Sequence, residues 1–420
     1  MKTADVSAPP TMHSAGRVVL KPKKALPFYG RHPWVLESAV DRVEPTSIAS
    51  EHLLDLDGQA VDLVSDKGKF IARGLYNGKS RIRVRLFTWL ADEAIDEQLF
   101  RRRIERAIEL RTQIGYETRA DRATTGTRLV FSESDGLSGL VVDRYGDQLV
   151  LQVTSLAMAQ RVEAIVAILQ ELLEPRGIVL RSEKAMGHLE GVELAEGQVW
   201  GELPEGSLEI REHGLRYQVD LHEGQKTGFY LDQRENRQAA AKYLEGRRVL
   251  DMFCYTGAFG LCAAALGNAA EVLGIDGSKK AIAQARANAE LNGLTQVRFD
   301  VGDGFRALDA MMQQGEKFDA VILDPPKFAR NRAGANQALM AYHRINRAAV
   351  ELLHPGGILV TCSCSGNVSR EDFSHMLSGV AQKSAREVQI LEARGAAADH
   401  PVSATCLETE YLKCFICRVV

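Results

Sequence analysis

The sequence predicts an α/β protein: a doubly wound C-terminal domain preceded by an all-β domain and a small central α+β domain. Three observations predict it. From about Leu208 onward, apolar strand-like runs alternate with amphipathic helical segments, the pattern of a parallel sheet covered on both faces. Between Arg17 and Arg85 the segments are short, punctuated by Gly and Pro, and alternate apolar with polar residues, as half-buried strands do. Between these regions, "TRLVFSESDGLSGLVVDRYGDQLVLQVT" reads strand, turn, strand, turn, strand, with Asp135-Gly136 and Gly146-Asp147 as the turns. The expected boundaries are a disordered leader over 1–16, the β domain over 17–90, the central domain over 91–207 and the α/β domain over 208–420.

Composition sets outer limits. The 420 residues are 45% apolar and 25% charged, with a formal charge of −3, so only local clustering can signal nucleic-acid binding. No run approaches the ~18–20 apolar residues of a membrane span, and no membrane partner is expected. The start, "MKTADVSAPPTMHSAG", lacks the apolar core of a secretory signal. Seven cysteines in such a chain point to reduced thiols and a cytoplasmic location.

In the β domain, "RVVL", "QAVDLVSDKGKFIARGLYN" and "SRIRVRLF" are the strands. Lys21, Lys23, Lys24 and Arg31 cluster in the first loop region, and Lys79, Arg81, Arg83 and Arg85 lie on or beside one strand. Alternation puts Arg81, Arg83 and Arg85 on one face, readable either as a solvated strand face or as an RNA-facing patch. Residues 92–115 predict an amphipathic helix with acidic first and basic later turns, which suits its dipole. Its Arg101, Arg102, Arg103 and Arg106 read first as an exposed face and second as phosphate contacts. A helix "LAMAQRVEAIVAILQELL" and a strand "GIVLRSE" complete the central domain; Met186 to Ser207, rich in Gly and Glu, reads as loop or linker.

The α/β domain opens with "RRVLDMFCYTGAFGLCAAALG": strand, turn, helix. Asp251 ends the strand, and Gly257 and Gly260 are expected to let backbone approach a ligand at the sheet's carboxyl edge. The spacing is not GxGxxG, which disfavours a nicotinamide cofactor, and nothing resembles GxxxxGK[ST]. Asp276 ends the next strand, placed for ribose hydroxyls; Asp303 follows the third, placed for an adenine amino group. Each acid alone reads equally as a cap or turn residue. Together, at three successive strand ends, they suit a nucleoside without phosphates, and so S-adenosylmethionine.

The fourth strand ends in "VILDPPKF", where Pro325-Pro326 stiffens the exit from Asp324 and suits holding a flat base by its polar edge. One strand later, "GGILVTCSCSG" carries Cys362 and Cys364, readable as core thiols, metal ligands, a redox pair or a nucleophile. Zinc needs two more ligands, and Cys414 and Cys417 sit in an apolar strand whose alternation aims them apart, so no metal is expected. A disulfide across one residue is strained. Carbon 5 of cytosine is a poor nucleophile; a thiolate adding to carbon 6 makes it able to attack a methyl donor, and loss of the carbon-5 proton then expels the thiol. The base must be flipped or unpaired. Cys364, the later residue and next to the Gly366 turn, is the favoured thiol, with Cys362 its buried neighbour.

The segments "HEGQKTGFYLDQRENR", "DMFCYTGAFG", "DPPKF" and "SCSG", after a β domain with "GRHPWVLESAV", resemble the RlmI-type family of 23S ribosomal RNA 5-methylcytosine methyltransferases. The resemblance covers nearly the whole chain past Arg17. It implies an N-terminal PUA domain, a small central α+β domain and a C-terminal class I (Rossmann-like) methyltransferase domain. It implies S-adenosylmethionine as cofactor and large-subunit ribosomal RNA as partner, and leaves a homodimer open. The family's catalytic thiol lies in the "SCS" element, here Cys364, with Asp324 beside it. Phe229, Asp232 and Arg234 are expected to line the cofactor pocket with Asp251, Tyr255, Thr256, Gly257, Phe259, Asp276, Asp303 and Asp324. Lys21, Lys23, Lys24, Arg31, Arg81, Arg83, Lys226 and Lys327 are expected on the RNA side. Another 5-methylcytosine group has a cysteine in the fourth motif; Pro326-Lys327 stands there instead, which implies a single-thiol mechanism. Two other readings share the pattern: a guanine-nitrogen methyltransferase, which needs no Cys364, and a non-catalytic RNA-binding assembly factor.

Overall fold

The structure, a computed structural model, describes residues 14–46, 56–116, 126–182, 187, 189–192, 196–221, 228–329 and 332–420. Most of the expected leader, residues 1–13, lies outside these. The chain divides into two compact units. The first is Met1–Leu208 with Asp220–Phe229 and Asp399–Leu407; the second is Glu209–Val219 with Tyr230–Ala398 and Glu408–Val420.

The first unit holds two sheets. Strands β1 (Gly16–Leu20), β2 (Trp34–Leu36), β3 (Val40–Pro45), β4 (Ala60–Val64), β5 (Phe70–Tyr76) and β6 (Ile82–Thr88) form a six-stranded sheet in the order β2-β6-β5-β4-β1-β3. Its inward alternation buries Val18, Leu20, Val61, Leu63, Val84 and Leu86 in one core. Strands β7 (Gly126–Phe131), β8 (Leu140–Tyr145), β9 (Gln148–Val153), β10 (Gly177–Ser182) and β11 (Gly197–Gly201) form a second sheet, ordered β11-β10-β9-β8-β7. Helices α1 (Glu97–Gln113) and α2 (Val162–Leu173) supply its apolar cover through Leu99, Phe100, Ile104, Ile165 and Leu169. The α1 helix starts later than its charge pattern suggests because the Asp96 side chain caps it, accepting from Leu99 N at 2.9 Å.

Two expectations are corrected here. The 186–207 stretch is not all linker: β11 pairs antiparallel with β10, Gly177 opposite Gly201. An edge strand takes its order from its neighbour's backbone, so it carries no apolar period to read. The Arg81–Arg83–Arg85 face is not an open face. Arg85 is buried, paired with Glu190 (2.9 Å) and Glu133 (3.4 Å) and bonded to Ser138 (3.0 Å), because the second sheet's turn covers that end of β6. Of the α1 arginines, Arg101 pairs with Glu171, Arg102 with Glu93, and Arg103 with the carbonyls of Phe87 and Gly136, while Arg102 and Arg106 are exposed, as a solvated helix face would be.

The second unit begins with a hairpin, β12 (Leu208–Glu212) and β13 (Leu215–Val219). It then builds a seven-stranded sheet from β14 (Arg248–Met252), β15 (Glu271–Asp276), β16 (Val297–Val301), β17 (Phe318–Leu323), β18 (Leu353–Ser363), β19 (Val388–Arg394) and β20 (Lys413–Val419). The order is β16-β15-β14-β17-β18-β20-β19; the first five are parallel and β20 runs antiparallel between β18 and β19. Helices α3 (Arg234–Ala241), α4 (Ala258–Ala265), α5 (Lys279–Leu291), α6 (Gly304–Gln313), α7 (Ala335–Leu352) and α8 (Arg370–Ser384) connect and cover it. Both faces are apolar: Val321 and Leu323 enter one cluster, Ala320 and Ile322 the other. That is why these parallel strands read as unbroken apolar runs. Cys414 and Cys417 fall in different clusters, on opposite faces. Among the described residues no helix is long and apolar enough to cross a membrane. Strand order reverses where β14 meets β17, and ligands of open α/β sheets bind beyond the carboxyl ends of strands at such a point.

Candidate active site

The β14–α4 turn is built under strain. Phe253 (φ 62°), Tyr255 (φ 49°) and Gly257 (φ 83°) all adopt left-handed backbone. A Cβ at Gly257 would lie 2.5 Å from Phe299 Cζ, and one at Gly260 would lie 3.1 Å from Asp251 Oδ2. These glycines therefore make room for Phe299 and the Asp251 carboxylate. Asp251 is 0% exposed. Its Oδ2 accepts from Gly260 N at 2.8 Å, while Oδ1 has no hydrogen-bond partner among the described residues. Burial pushes this carboxyl up to about 8; the Gly260 amide opposes the rise, and Asp324 and Asp276 add to it. Thr256 Oγ1, in the same turn, is also buried without a partner among the described residues.

Asp276 is half-buried and pins the same turn: its oxygens accept from Tyr255 N (3.1 Å) and Ser278 N (2.8 Å). Asp303 is exposed and caps α6, accepting from Arg306 N at 2.9 Å.

Asp324 follows Leu323, whose partners are Met252 on β14 and Thr361 on β18. Its Oδ1 accepts from Gln233 Nε2 at 3.1 Å. Tyr230 stands edge-on to Tyr255, ring centroids 5.3 Å apart. Its phenol is driven far up, first by burial and then by the charges of Asp324, Tyr255, Asp232 and Cys364, so these groups converge. Asp232 Oδ2 accepts from Tyr411 Oη at 2.5 Å.

The two cysteines separate. Cys362 is 0% exposed, lies opposite Cys414 in the ladder and packs in an apolar cluster. Burial, then Cys414, pushes its thiol well above the ordinary range. Cys364 lies one residue past the end of β18 and is half-buried, with Sγ 4.0 Å from the Pro325 carbonyl oxygen. The other six cysteines are buried. The next residue, Ser365, is held by Tyr342 (3.2 Å) through its hydroxyl and by Lys413 Nζ (2.7 Å) through its carbonyl.

Tyr255, Thr256, Gly257, Asp232, Asp251, Asp276, Asp324 and Cys364 thus gather at or beside the strand ends. Three other expected cofactor residues make contacts within the protein. Phe229 belongs to the first unit, where its amide donates to Tyr145 Oη at 3.1 Å. Arg234 is buried against Glu212 at 3.4 Å. Phe259 packs in the apolar cluster with Val249 and Ala263. On the RNA side, Lys21, Lys23, Lys24, Arg31, Arg81 and Lys327 are exposed, and Arg83 is tied to Glu37 at 2.8 Å. Lys226 lies outside the described residues. Sequence reading missed Gln233, Tyr230, Tyr411 and Lys413.

The buried Asp251 Oδ1 and Thr256 Oγ1 are an acceptor and a donor that lack partners among the described residues, at the sheet's switch point. They fit the ammonium and carboxylate of an amino-acid-bearing nucleoside. The S-adenosylmethionine-dependent methyltransferase family profile matches residues 193–403, and a PUA-like domain profile matches residues 18–89. Ribosomal RNA large subunit methyltransferase I of Serratia proteamaculans is 43% identical, over 93% of this chain and 96% of its own. The Erwinia tasmaniensis protein of the same name is 40% identical, over 96% of this chain and 99% of its own. The solved structure of SMU.776, a methyltransferase complexed with SAH, superposes with a TM-score of 0.80 at 23% identity, over 96% of this chain and 99% of its own. It shares the fold.

Proposed function

The chain belongs to the ribosomal RNA large subunit methyltransferase I family and is an S-adenosylmethionine-dependent methyltransferase of large-subunit ribosomal RNA, and we propose that it acts on carbon 5 of a cytosine through a covalent bond from Cys364 to carbon 6. The observation that carries this reading is the placing of Cys364. Alone among the seven cysteines it is not buried, and it stands 4.0 Å from the carbonyl of the rigid Asp-Pro-Pro exit.

S-adenosylmethionine, when bound, supplies a methyl group on an electrophilic sulfonium. Asp251 Oδ1 would take its ammonium and Thr256 Oγ1 its carboxylate, with Asp276 at the ribose and Asp303 at the adenine amino group. Tyr230 and Tyr255 would wall the reacting centre from water.

The Cys364 thiolate adds to carbon 6, and the ring's electron pair moves to make carbon 5 nucleophilic. Asp324, aimed by Gln233, holds the ring nitrogen or amino group as charge shifts toward it. Once carbon 5 carries the methyl group, its proton leaves to a base, the ring double bond re-forms and the thiolate departs. No second cysteine is needed for release, since Pro326-Lys327 stands where a two-cysteine enzyme carries one. The exposed Lys21, Lys23, Lys24, Arg31 and Arg81 of the N-terminal β domain, with Lys327, would contact phosphates. We place the reaction in the cytoplasm, where the substrate is made.

Bisulfite mapping of large-subunit RNA methylated in vitro tests this. One protected cytosine with the wild-type protein and none with Cys364→Ala is expected. Methylation confined to guanine nitrogens would overturn it.

A further inference from the structure

The last strand of the sheet carries a buried cation that the steps above do not use. Lys413 opens β20 directly opposite Ser363, the residue before Cys364. It is 1% exposed. Its Nζ donates to the carbonyl oxygens of Ser365 (2.7 Å) and Tyr411 (2.8 Å). An ammonium has three donors, so among the described residues one is left over.

Among the described residues no carboxylate forms an ion pair with Lys413. Glu410 from its own approach segment and Asp372 from α8 favour its charge at longer range, and Arg370 from α8 opposes it. Burying an ammonium on carbonyl dipoles alone is costly unless an anion stands near. The anion the fold brings near is the Cys364 sulfur: Lys413 grips the backbone of the very next residue. Cys364 is also the leading charge that favours the ammonium, against burial, which pushes the group down to about 8. Asp324 and Cys364 bear on the same two phenols, Tyr230 and Tyr342, so the carboxylate and the thiol share their surroundings.

We propose that Lys413 is a positioning residue for the methyl transfer: it fixes the 363–365 turn and holds a positive charge that stabilises the Cys364 thiolate. The proposal rests on Cys364 being the nucleophile. Below about pH 8 the ammonium is present and offsets Asp324; above it the proton is lost and so is the support.

The test is the rate of iodoacetamide alkylation at Cys364 against pH in the full-length protein, located by peptide mass. Wild type should reach half its maximal rate below the ~8.5 of an ordinary thiol. Lys413→Met should alkylate about tenfold more slowly at pH 7 and recover at high pH, a one-unit displacement of the profile. Lys413→Arg should retain the wild-type midpoint. A wild-type midpoint at or above that of an ordinary thiol overturns the proposal, and this arm needs no variant to fold. A folded Lys413→Met with an unmoved profile and a lower melting temperature makes the lysine merely structural. If instead Cys364→Ala keeps full methyl transfer, the nucleophile reading fails while the alkylation result still stands or falls by itself.

Discussion

Gln233 Nε2 donates to Asp324 Oδ1 at 3.1 Å, and Gln233 Oε1 in turn accepts from Asn236 Nδ2 at 2.6 Å. The amide is buried, so both ends are fixed, and the acid at the end of β17 is aimed from the start of α3. Gln233→Leu removes a hydrogen bond to a charged group, worth about 1.5–3 kcal/mol. We expect kcat to fall roughly tenfold or more while KM for RNA changes less, as steady-state methyl transfer would show. Gln233→Glu, which faces Asp324 with a like charge, should cost more. Equal rates in all three proteins would sever Gln233 from the reaction.

Asp251 links cofactor binding to pH. Its carboxyl is raised from 3.8 to about 8, so the folded state holds this proton more tightly than the unfolded chain does. The sign follows: stability from this group declines as pH rises from ~4 toward ~8. A cationic ammonium at Oδ1 needs the ionised form, so calorimetric affinity for S-adenosylmethionine should rise over the same window. Asp251→Asn should gain melting temperature on wild type as pH rises toward 8, and bind the cofactor weakly at every pH.

Gly257 tests the turn. An alanine there meets φ 83° and a Cβ 2.5 Å from Phe299 Cζ. Backbone strain alone is worth ~1–3 kcal/mol, and the clash adds to it. Chemical denaturation of Gly257→Ala should show at least that loss, with weaker cofactor binding.

The exposed lysines Lys23 and Lys24 should act through phosphates alone. Changing both to Glu should weaken RNA binding for all sequences and flatten the salt dependence by about one slope unit per lost phosphate contact. Cofactor affinity should not move.

How legible was this in the sequence? The family was, because two of its motifs sit at strand ends, where an apolar run stops abruptly on one polar residue: "VLGID" and "VILD". A parallel strand buried on both faces is apolar along most of its length. Phe259 and Arg234 show what chain order alone leaves out. They neighbour site residues in the chain, but helix geometry turns Phe259 into the core and Arg234 onto Glu212. Gln233 and Lys413 were hidden because their partners, Asp324 and Ser365, lie far away in sequence. No local pattern encodes such a bond. Arg85 failed on alternation itself: period two gives a face but not what covers it.

The two cysteines divide structure from chemistry. Cys362→Ala should leave methyl transfer near wild type and cost about 1 kcal/mol of stability, from a small cavity between β18 and β20.

The most direct test of the central claim is covalent trapping on large-subunit RNA containing 5-fluorocytidine. Fluorine at carbon 5 cannot leave as a proton does, so the adduct formed after methylation has no exit. A denaturing gel should show a protein–RNA band that requires S-adenosylmethionine, persists in Cys362→Ala and vanishes in Cys364→Ala. A band that survives loss of Cys364, or 5-methylcytosine formed without it, would contradict the account.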